Sequence, residues 1–308
     1  MTQPTAIHIA DLLDRHAGVL LDVYGVLFDA RGPLPGAAAL LAELDRRGTP
    51  FRIVTNDASR SQTTYAARFA SHAITVAPER FVTSGSLLPA YIRTHGLVGA
   101  RMLVLGTTDS VAFARAGGAL ALTLPAAAAG PRRLADTNTN DDTEPVGMPF
   151  VEGDDLDAIA VCDDDGFDFL RGVELALSAI VRAVEAGKSP ALILPNPDLV
   201  YPKGGGELGF TAGAIALLLE AALARRFPGR ALRFVHLGKP EPLLFTTAAR
   251  QLELPPERLV MIGDQLETDI AGARAAGCAC ALLAGVSSWA HARETSTVVP
   301  DFLLDALT

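Results

Sequence analysis

The chain has 308 residues, enough for one large domain or for two domains that share an interface. Its formal net charge of −9 at pH 7 argues against a general binder of nucleic acid or of anionic membranes. The chain has only three cysteines, an odd and small number that argues against a disulfide framework. This count favours a reducing compartment.

The predicted elements alternate between strand and helix along the chain. Buried apolar runs of strand length lie at 18–26, 50–56, 101–107, 157–162, 189–196, 232–238, 258–264 and 278–285. Helical patterns lie at 34–48, 58–72, 171–187, 211–224, 242–253 and 266–277. This alternation predicts an α/β fold built on parallel sheets with crossover helices. The segment 124–150 shows no clear period and is predicted to be a long surface loop.

The sequence contains neither a recognisable secretory signal nor an apolar segment long enough to span a membrane. The N-terminus has no basic start and no continuous apolar core, as a secretory signal would. The longest apolar helical pattern, 211–224, carries Glu220 and falls short of the ~20 residues that a membrane span needs. We therefore predict no membrane association and a cytoplasmic location.

Polar side chains stand at the carboxyl ends of four predicted strands, where an open parallel sheet binds its ligand. They are Asp22, the pair Thr55 and Asn56, Lys239, and Asp264. Taken singly, each has an ordinary interpretation as a turn, a helix cap or a solvated lysine. Their occurrence in order, each after an apolar strand, favours a common site instead.

The residue types in this set suit one chemistry. Asp22 and Asp264 offer hard oxygen ligands for Mg²⁺, and Thr55 and Lys239 suit a phosphoryl oxygen. Asp269, five residues beyond Asp264, can supply a second metal-site carboxylate or orient the waters of the metal. Without a metal and a lysine, these carboxylates would repel one another.

The same stretches resemble the four motifs of the haloacid dehalogenase-like superfamily. They are LLDVYGVLFD, IVTN, the lysine of LGKPEP, and MIGDQLETDI. The stretches PLPGA, TN, NPDLVYP (196–202) and GKPEP are similar to subclass IIA, which includes 4-nitrophenyl phosphatases and sugar-phosphate phosphatases. The resemblance extends from about residue 17 to about residue 290.

This resemblance implies a Rossmann-like parallel-sheet core with an inserted α/β cap domain of the C2 type. The core would comprise residues 1–86 and 207–308, and the cap residues 87–206, with 124–150 as an insertion. Caps of this family supply substrate specificity, and many members dimerise through them. A homodimer and a small phosphorylated metabolite as substrate are therefore expected.

The resemblance also implies a role for each matching residue. Asp22 would be the nucleophile that forms an aspartyl-phosphate. The Mg²⁺ site would comprise Asp22, the backbone carbonyl of Tyr24, Asp264 and Asp269. The groups expected to hold the transferring phosphoryl group are Thr55, Asn56 and Lys239.

Tyr24 departs from the family pattern, which has a second aspartate two residues after the nucleophile. That aspartate protonates the leaving oxygen and then activates water, a contribution of typically ~10²–10⁴-fold. A tyrosine is a poor base at neutral pH, although it can donate a hydrogen bond to a leaving oxygen. We therefore expect better activity on 4-nitrophenyl phosphate than on alkyl phosphates.

Two alternatives follow from this tyrosine. The 2-haloacid dehalogenases also carry D-x-Y, because halide leaves without a proton. They work without a metal, however, and their fourth motif is altered, so Asp264 and Asp269 favour a Mg²⁺-dependent phosphatase. The other alternative is a protein that binds a phosphorylated ligand and turns it over slowly or not at all.

Overall fold

The computed structural model describes residues 3–124, 147–204, 207–285 and 296–308. The predicted surface loop at 124–150 therefore lies, for residues 125–146, outside the described residues. The chain forms two units. The first comprises Met1–Thr55, Tyr65–Val82 and Gly238–Thr308, and the second comprises Asn56–Thr64 and Thr83–Leu237.

The N-terminal part of the chain builds one part of the first unit. Its strands and helices are β1 (Thr5–Ala6), α1 (Ile9–Arg15), β2 (Gly18–Leu21), β3 (Phe28–Asp29), β4 (Gly32–Pro33), α2 (Ala37–Arg47), β5 (Phe51–Thr55), α3 (Gln62–Ser71) and β6 (Phe81–Thr83). Helix α2 ends at Gly48, whose positive φ of 66° suits a residue without a side chain.

The middle of the chain builds the second unit. Its elements are α4 (Leu88–Thr94), β7 (Arg101–Leu105), α5 (Thr108–Ala116), β8 (Leu120–Thr123), β9 (Met148–Pro149), β10 (Ala158–Val161), α6 (Phe169–Glu185), β11 (Ala191–Leu194), β12 (Val200–Gly204), β13 (Glu207–Phe210), α7 (Ala212–Arg226) and β14 (Val235–His236). The Asp168 side chain caps α6 by accepting from the backbone N of Arg171.

The C-terminal part returns to the first unit. Its elements are α8 (Leu243–Leu252), β15 (Leu259–Gly263), α9 (Ala271–Ala275), β16 (Ala279–Leu283) and β17 (Phe302–Leu304). The helix predicted over 266–277 is divided. A π-helical turn, Leu266–Ile270, precedes the short helix α9. Wider turns of this kind are frequent at functional sites.

Within the described residues, seven strands of the first unit form a sheet in the order β1-β17-β16-β15-β2-β5-β6. Along this order, the five pairings β1-β17, β17-β16, β16-β15, β15-β2 and β2-β5 are parallel. Strand β2 is buried along its whole length and lies between β15 and β5. Its apolar residues pack with those of α1, α2 and α3 in one core cluster. The predicted Rossmann-like parallel core is confirmed.

The described part of the second unit contains a six-stranded sheet in the order β14-β11-β10-β7-β8-β9. All five of its pairings are parallel. Helices α6 and α7 pack their buried faces against it in a second core cluster. The predicted α/β character of the inserted domain is thus confirmed, while its boundaries at 87 and 206 stay a prediction.

None of the helices in the described ranges combines the length and the apolar character that crossing a membrane requires.

Candidate active site

Three of the predicted site residues lie at one edge of the first unit's sheet. Asp22 follows β2 directly, Asp264 follows β15 directly, and Thr55 is the last residue of β5. Leu21 of β2 is in register with Ile262 of β15 and with Ile53 of β5. Because all three strands run in the same direction, their carboxyl ends meet at this edge.

Lys239 joins this edge through two ion pairs. Its Nζ lies 2.7 Å from Oδ1 of Asp22 and 2.6 Å from Oδ1 of Asp269. The lysine is only 2% exposed, so both contacts are made with little solvent screening. The strand predicted before it is short, Val235–His236, and pairs with β11 in the other unit's sheet. The sequence pattern had indicated that Lys239 ends a strand beside the other site residues. In the structure, Lys239 does not end a strand of the core sheet.

Asp269 holds the loop after β15 in place. Its side chain is fully buried in the π-helical turn. While Oδ1 contacts Lys239, Oδ2 accepts hydrogen bonds from the backbone N of Asp264 at 3.1 Å and of Gln265 at 3.2 Å. One carboxylate thus fixes both the lysine and the backbone that carries Asp264.

The close approach of this carboxylate depends on a glycine. A Cβ added to Gly263 would lie 2.3 Å from Cβ of Asp269, which is too close for two carbon atoms that are not bonded to each other. The last residue of β15 therefore has to be a glycine for the turn to fold back onto the strand end.

Burial raises the pKa of two carboxyl groups in this cluster, those of Asp22 and Asp264. It raises the pKa of Asp22 to about 7, an effect that attraction to Lys239 offsets only in part. Burial, followed by repulsion from Asp269 and Asp22, holds the pKa of Asp264 well above its usual range. Burial opposes the charge of Lys239 as well, but attraction to Asp22 and Asp269 outweighs it and raises the pKa of the ammonium group.

These shifts describe a site with excess negative charge. Three carboxyl groups share one ammonium group, so full ionisation would leave two negative charges unbalanced away from water. Removing a charge from water without a partner is costly, which is why protonation becomes easier. A divalent cation would balance the two charges.

The residues present fit such a cation. One oxygen from each of Asp22, Asp264 and Asp269 lies within 4.8 Å of the others. Oδ1 of Asp264 is buried and makes no hydrogen bond, so a strong acceptor stands without a partner. An oxygen-only donor set of this kind suits Mg²⁺, which keeps several of its waters.

The loop after β2 passes directly against this carboxylate. A Cβ added to Gly25 would lie 2.2 Å from Oδ2 of Asp264, and the φ of Gly25 is +85°. Both facts require glycine at this position. The backbone at Gly25, next to Tyr24, thereby comes up to Asp264, and the ligand role of the Tyr24 carbonyl stays a prediction.

The side chain of Tyr24 contacts an arginine that the sequence analysis missed. Nη1 of Arg68, on α3, donates a hydrogen bond to the Tyr24 hydroxyl oxygen. The guanidinium carbon also lies 5.2 Å from the centre of the Tyr24 ring. Nothing in the spacing of the two residues, 44 positions apart, indicates this contact.

Asn56 is held within the second unit. Its Nδ2 donates to Oδ1 of Asp198 at 2.8 Å, and the backbone N of Asp198 donates to Oδ1 of Asn196 at 3.1 Å. Asn196 in turn donates to Thr211 at 3.2 Å. The stretch NPDLVYP was recognised as a family feature, but the role of its aspartate as the partner of Asn56 was not. The phosphoryl contacts expected of Thr55 and Asn56 stay predictions.

Two family models match this chain. One is described as haloacid dehalogenase-like hydrolase and matches residues 19–119. The other is described as HAD-hydrolase-like and matches residues 236–308. Together they cover more than half of the chain and include every predicted site residue.

Curated relatives match over nearly the whole chain. Chronophin from Homo sapiens is 29% identical over 283 residues, which are 91% of this chain and 85% of that protein. Glycerol-3-phosphate phosphatase from Gallus gallus is 27% identical over 299 residues, which are 94% of this chain and 89% of that protein.

Solved structures share the fold. A possible sugar phosphatase from Cytophaga hutchinsonii superposes with a TM-score of 0.77 at 24% identity, covering 99% of this chain and 98% of its own. A glycerol phosphate phosphatase from Mycobacterium tuberculosis, in complex with magnesium, superposes with a TM-score of 0.70 at 24% identity. It covers 98% of this chain and 77% of its own.

Proposed function

We propose that Asp22 takes the phosphoryl group of a small phosphate monoester in the reaction of this chain. The chain belongs to the haloacid dehalogenase-like hydrolases. The curated relatives are phosphatases of this family, and the chain is a phosphoric monoester hydrolase. What remains to be assigned is the role of each residue, the metal and the substrate.

The observation that carries the proposal is the contact of one buried lysine with two carboxylates at the carboxyl end of β2. Lys239 lies 2.7 Å from the Asp22 oxygen that would attack, and 2.6 Å from Asp269. Its positive charge favours the ionised, nucleophilic form of Asp22 and attracts phosphoryl oxygens. An aspartate that only capped a turn would not need a buried lysine.

The reaction has two steps. An Asp22 oxygen attacks phosphorus and forms a new bond, while the bond from phosphorus to the ester oxygen breaks and its electron pair leaves with that oxygen. Water then attacks the aspartyl-phosphate, and the bond between Asp22 and phosphorus breaks to release phosphate. Lys239, Thr55 and Asn56 hold the phosphoryl oxygens in both steps.

The metal site would use Asp22, Asp264 and the backbone carbonyl of Tyr24. Asp269 acts differently from Asp264, because its two oxygens already hold Lys239 and the backbone of the following loop. We assign it the orientation of these groups and of the metal's waters. When bound, Mg²⁺ supplies positive charge that stabilises the transferring phosphoryl group.

Tyr24 determines which leaving groups are favoured. Because no carboxylic acid stands two residues after Asp22, protonation of the leaving oxygen is weak. Aryl and acyl phosphates, whose leaving groups need little protonation, are therefore better substrates than alkyl phosphates. The orphaned Asp264 oxygen and the three clustered carboxylates support this chemistry over metal-free dehalogenation.

The substrate proposal remains at the level of a class. Relatives include an enzyme named for glycerol 3-phosphate, which supports a small phosphorylated metabolite. A homodimer and a cytoplasmic location are further predictions that rest on the sequence.

The experiment is hydrolysis of 4-nitrophenyl phosphate with Mg²⁺ and with EDTA. Asp22→Asn should abolish turnover in the presence of Mg²⁺, and EDTA should abolish it in the wild type. Asp14→Asn is the matched control, because Asp14 has a side chain that is 70% exposed and pairs only with Arg47 among the contacts described. It should leave the rate unchanged.

Two results would contradict the proposal. Full activity of Asp22→Asn would show that Asp22 is not the nucleophile. A wild type without turnover, and still without turnover as Tyr24→Asp, would favour a protein that binds a phosphorylated ligand. In that case 2-chloropropionate is the next substrate to try.

A further inference from the structure

The contact between the side chains of Tyr24 and Arg68 has no part in the reaction above. The Arg68 guanidinium donates to the Tyr24 hydroxyl oxygen, and its central carbon lies 5.2 Å from the centre of the Tyr24 ring. The same carbon lies 5.7 Å from the centre of the Phe28 ring. Arg68 is therefore ordered by two aromatic rings and one hydroxyl.

The supports of both partners are well packed. The loop that carries Tyr24 is closed by hydrogen bonds of 2.8 Å, from Gly25 N to Phe28 O and from Phe28 N to Val23 O. Phe28 packs against Phe69 of α3, with ring centres 4.4 Å apart. Helix α3 and the loop after Asp22 are thus joined by an aromatic contact beside the pair.

The chemistry of the two groups fixes the direction of their hydrogen bond. A guanidinium group has only donors, whereas a phenol has one donor and can also accept. The Tyr24 oxygen must therefore accept from Arg68, and its own proton remains to be donated elsewhere. Because the guanidinium occupies one side of the oxygen, the proton is directed away from Arg68.

We infer that Arg68 is a positioning residue that presents the Tyr24 hydroxyl as a hydrogen-bond donor to the ester oxygen of the substrate. The inference rests on the proposed function. While the bond from phosphorus to the ester oxygen breaks, the electron pair collects on that oxygen, which then accepts the hydrogen bond. Tyr24 keeps its proton, and the departing oxyanion takes a proton from water.

The positive charge of Arg68 strengthens this donor. Hydrogen bonds in a chain polarise one another, so a phenol that accepts from a guanidinium donates more strongly. A hydrogen bond to a charged group contributes about 1.5–3 kcal/mol, which corresponds to about 10- to 100-fold in rate. The contribution grows with the charge on the leaving oxygen and is largest for basic leaving groups.

The test compares phenyl phosphate with 4-nitrophenyl phosphate in a double-mutant cycle, because phenolate is the more basic of the two aryl leaving groups. Tyr24→Phe and Arg68→Met should each lower kcat for phenyl phosphate by about 10- to 100-fold and affect 4-nitrophenyl phosphate much less. The double variant should be no worse than Tyr24→Phe alone, because Arg68 acts through the hydroxyl. Arg68→Lys, which keeps a charged donor, should recover part of the rate.

Arg31→Met is the matched control. Its side chain is 91% exposed and pairs with Asp29, so the same loss of a guanidinium should leave both rates unchanged. The ratio of the two substrates' kcat values guards against partial unfolding, because an inactive fraction lowers both rates equally. Tyr24→Phe preserves the ring packing, so it tests the inference even if Arg68→Met folds poorly.

The outcomes separate this inference from the proposed function. Additive losses in the double variant, or equal losses on both substrates, would overturn the role of Arg68 while Asp22-dependent turnover persists. If the turnover of the wild type does not depend on Asp22, both the proposed function and the role of Arg68 are wrong.

Discussion

The Nζ atom of Lys239 lies 2.6 Å from Oδ1 of Asp269, and the side chain of Asp269 is fully buried. The second oxygen of Asp269 is held by two backbone N–H groups of the loop that carries Asp264. The lysine, the loop and Asp22 are therefore parts of one network, and a change in one of them affects the others.

Replacing Lys239 with methionine should destabilise the metal-free protein. The change removes the only described cation in contact with Asp22 and Asp269, and an uncompensated buried charge costs about 3–5 kcal/mol. Urea unfolding in EDTA measures the loss. Lys188→Met is the control, because the paired Lys188 is 38% exposed and such surface pairs contribute about 0–1 kcal/mol. Equal losses in the two variants would show that Lys239 does not balance the cluster.

Gly25→Ala should abolish Mg²⁺ binding and activity. Its Cβ would lie 2.2 Å from Oδ2 of Asp264. Gly48→Ala is a matched control with a φ of +66° and no atom within 4 Å of its added Cβ. Both variants carry the left-handed backbone cost of about 1–2 kcal/mol, but only Gly25→Ala displaces a carboxylate. The rise in melting temperature on adding Mg²⁺ should vanish in Gly25→Ala alone, and its persistence there would contradict the assigned site.

The stability of the metal-free protein should fall as the pH rises from about 5 to about 7. The pKa of Asp22 is 3.8 as an ordinary value and about 7 in the folded protein, so the folded state binds a proton that the unfolded chain has released. This contribution is fully present below the ordinary pKa and is lost as the pH rises through about 7. In EDTA, the free energy of unfolding of Asp22→Asn should depend less steeply on pH than that of the wild type. Identical slopes for the two proteins would show that Asp22 does not cause this pH dependence.

Tyr24→Asp should raise activity, and more so on alkyl phosphates. A carboxylic acid at this position can protonate the leaving oxygen, which contributes typically ~10²–10⁴-fold for a leaving group that needs a proton. Initial rates on glycerol phosphate and on 4-nitrophenyl phosphate, both with Mg²⁺, measure the difference. Equal gains on the two substrates would mean that protonation of the leaving group does not limit the wild type.

The aspartyl-phosphate should accumulate during turnover of 4-nitrophenyl phosphate. A good leaving group makes the first step fast, while attack of water in the second step lacks a base because Tyr24 replaces the acid. Rapid acid quench and intact-mass measurement should show a phosphorylated chain that is missing in Asp22→Asn. Active turnover without any detectable phosphorylated chain would mean that the second step is not the slower one.

Much of the core was predictable because its elements are local patterns. The buried runs at 18–26, 50–56 and 258–264 contain β2, β5 and β15, since unbroken apolar stretches of this length are typical of strands covered on both faces. The helix at 266–277 was predicted without its π-helical turn, because that turn follows from the contact of Asp269 with the strand end. No periodicity of the sequence contains such a contact.

The sequence by itself determined that Asp22 and Asp264 stand at strand ends, because apolar runs set the strands and each polar residue follows its run. Only the tertiary structure decided which groups meet. Lys239 reaches Asp22 and Asp269 without ending a core strand, Arg68 finds Tyr24 across 44 positions, and Asp198 holds Asn56 across 142. Such contacts depend on how packed elements bring distant side chains together, and burial then sets the charge that each of them can carry.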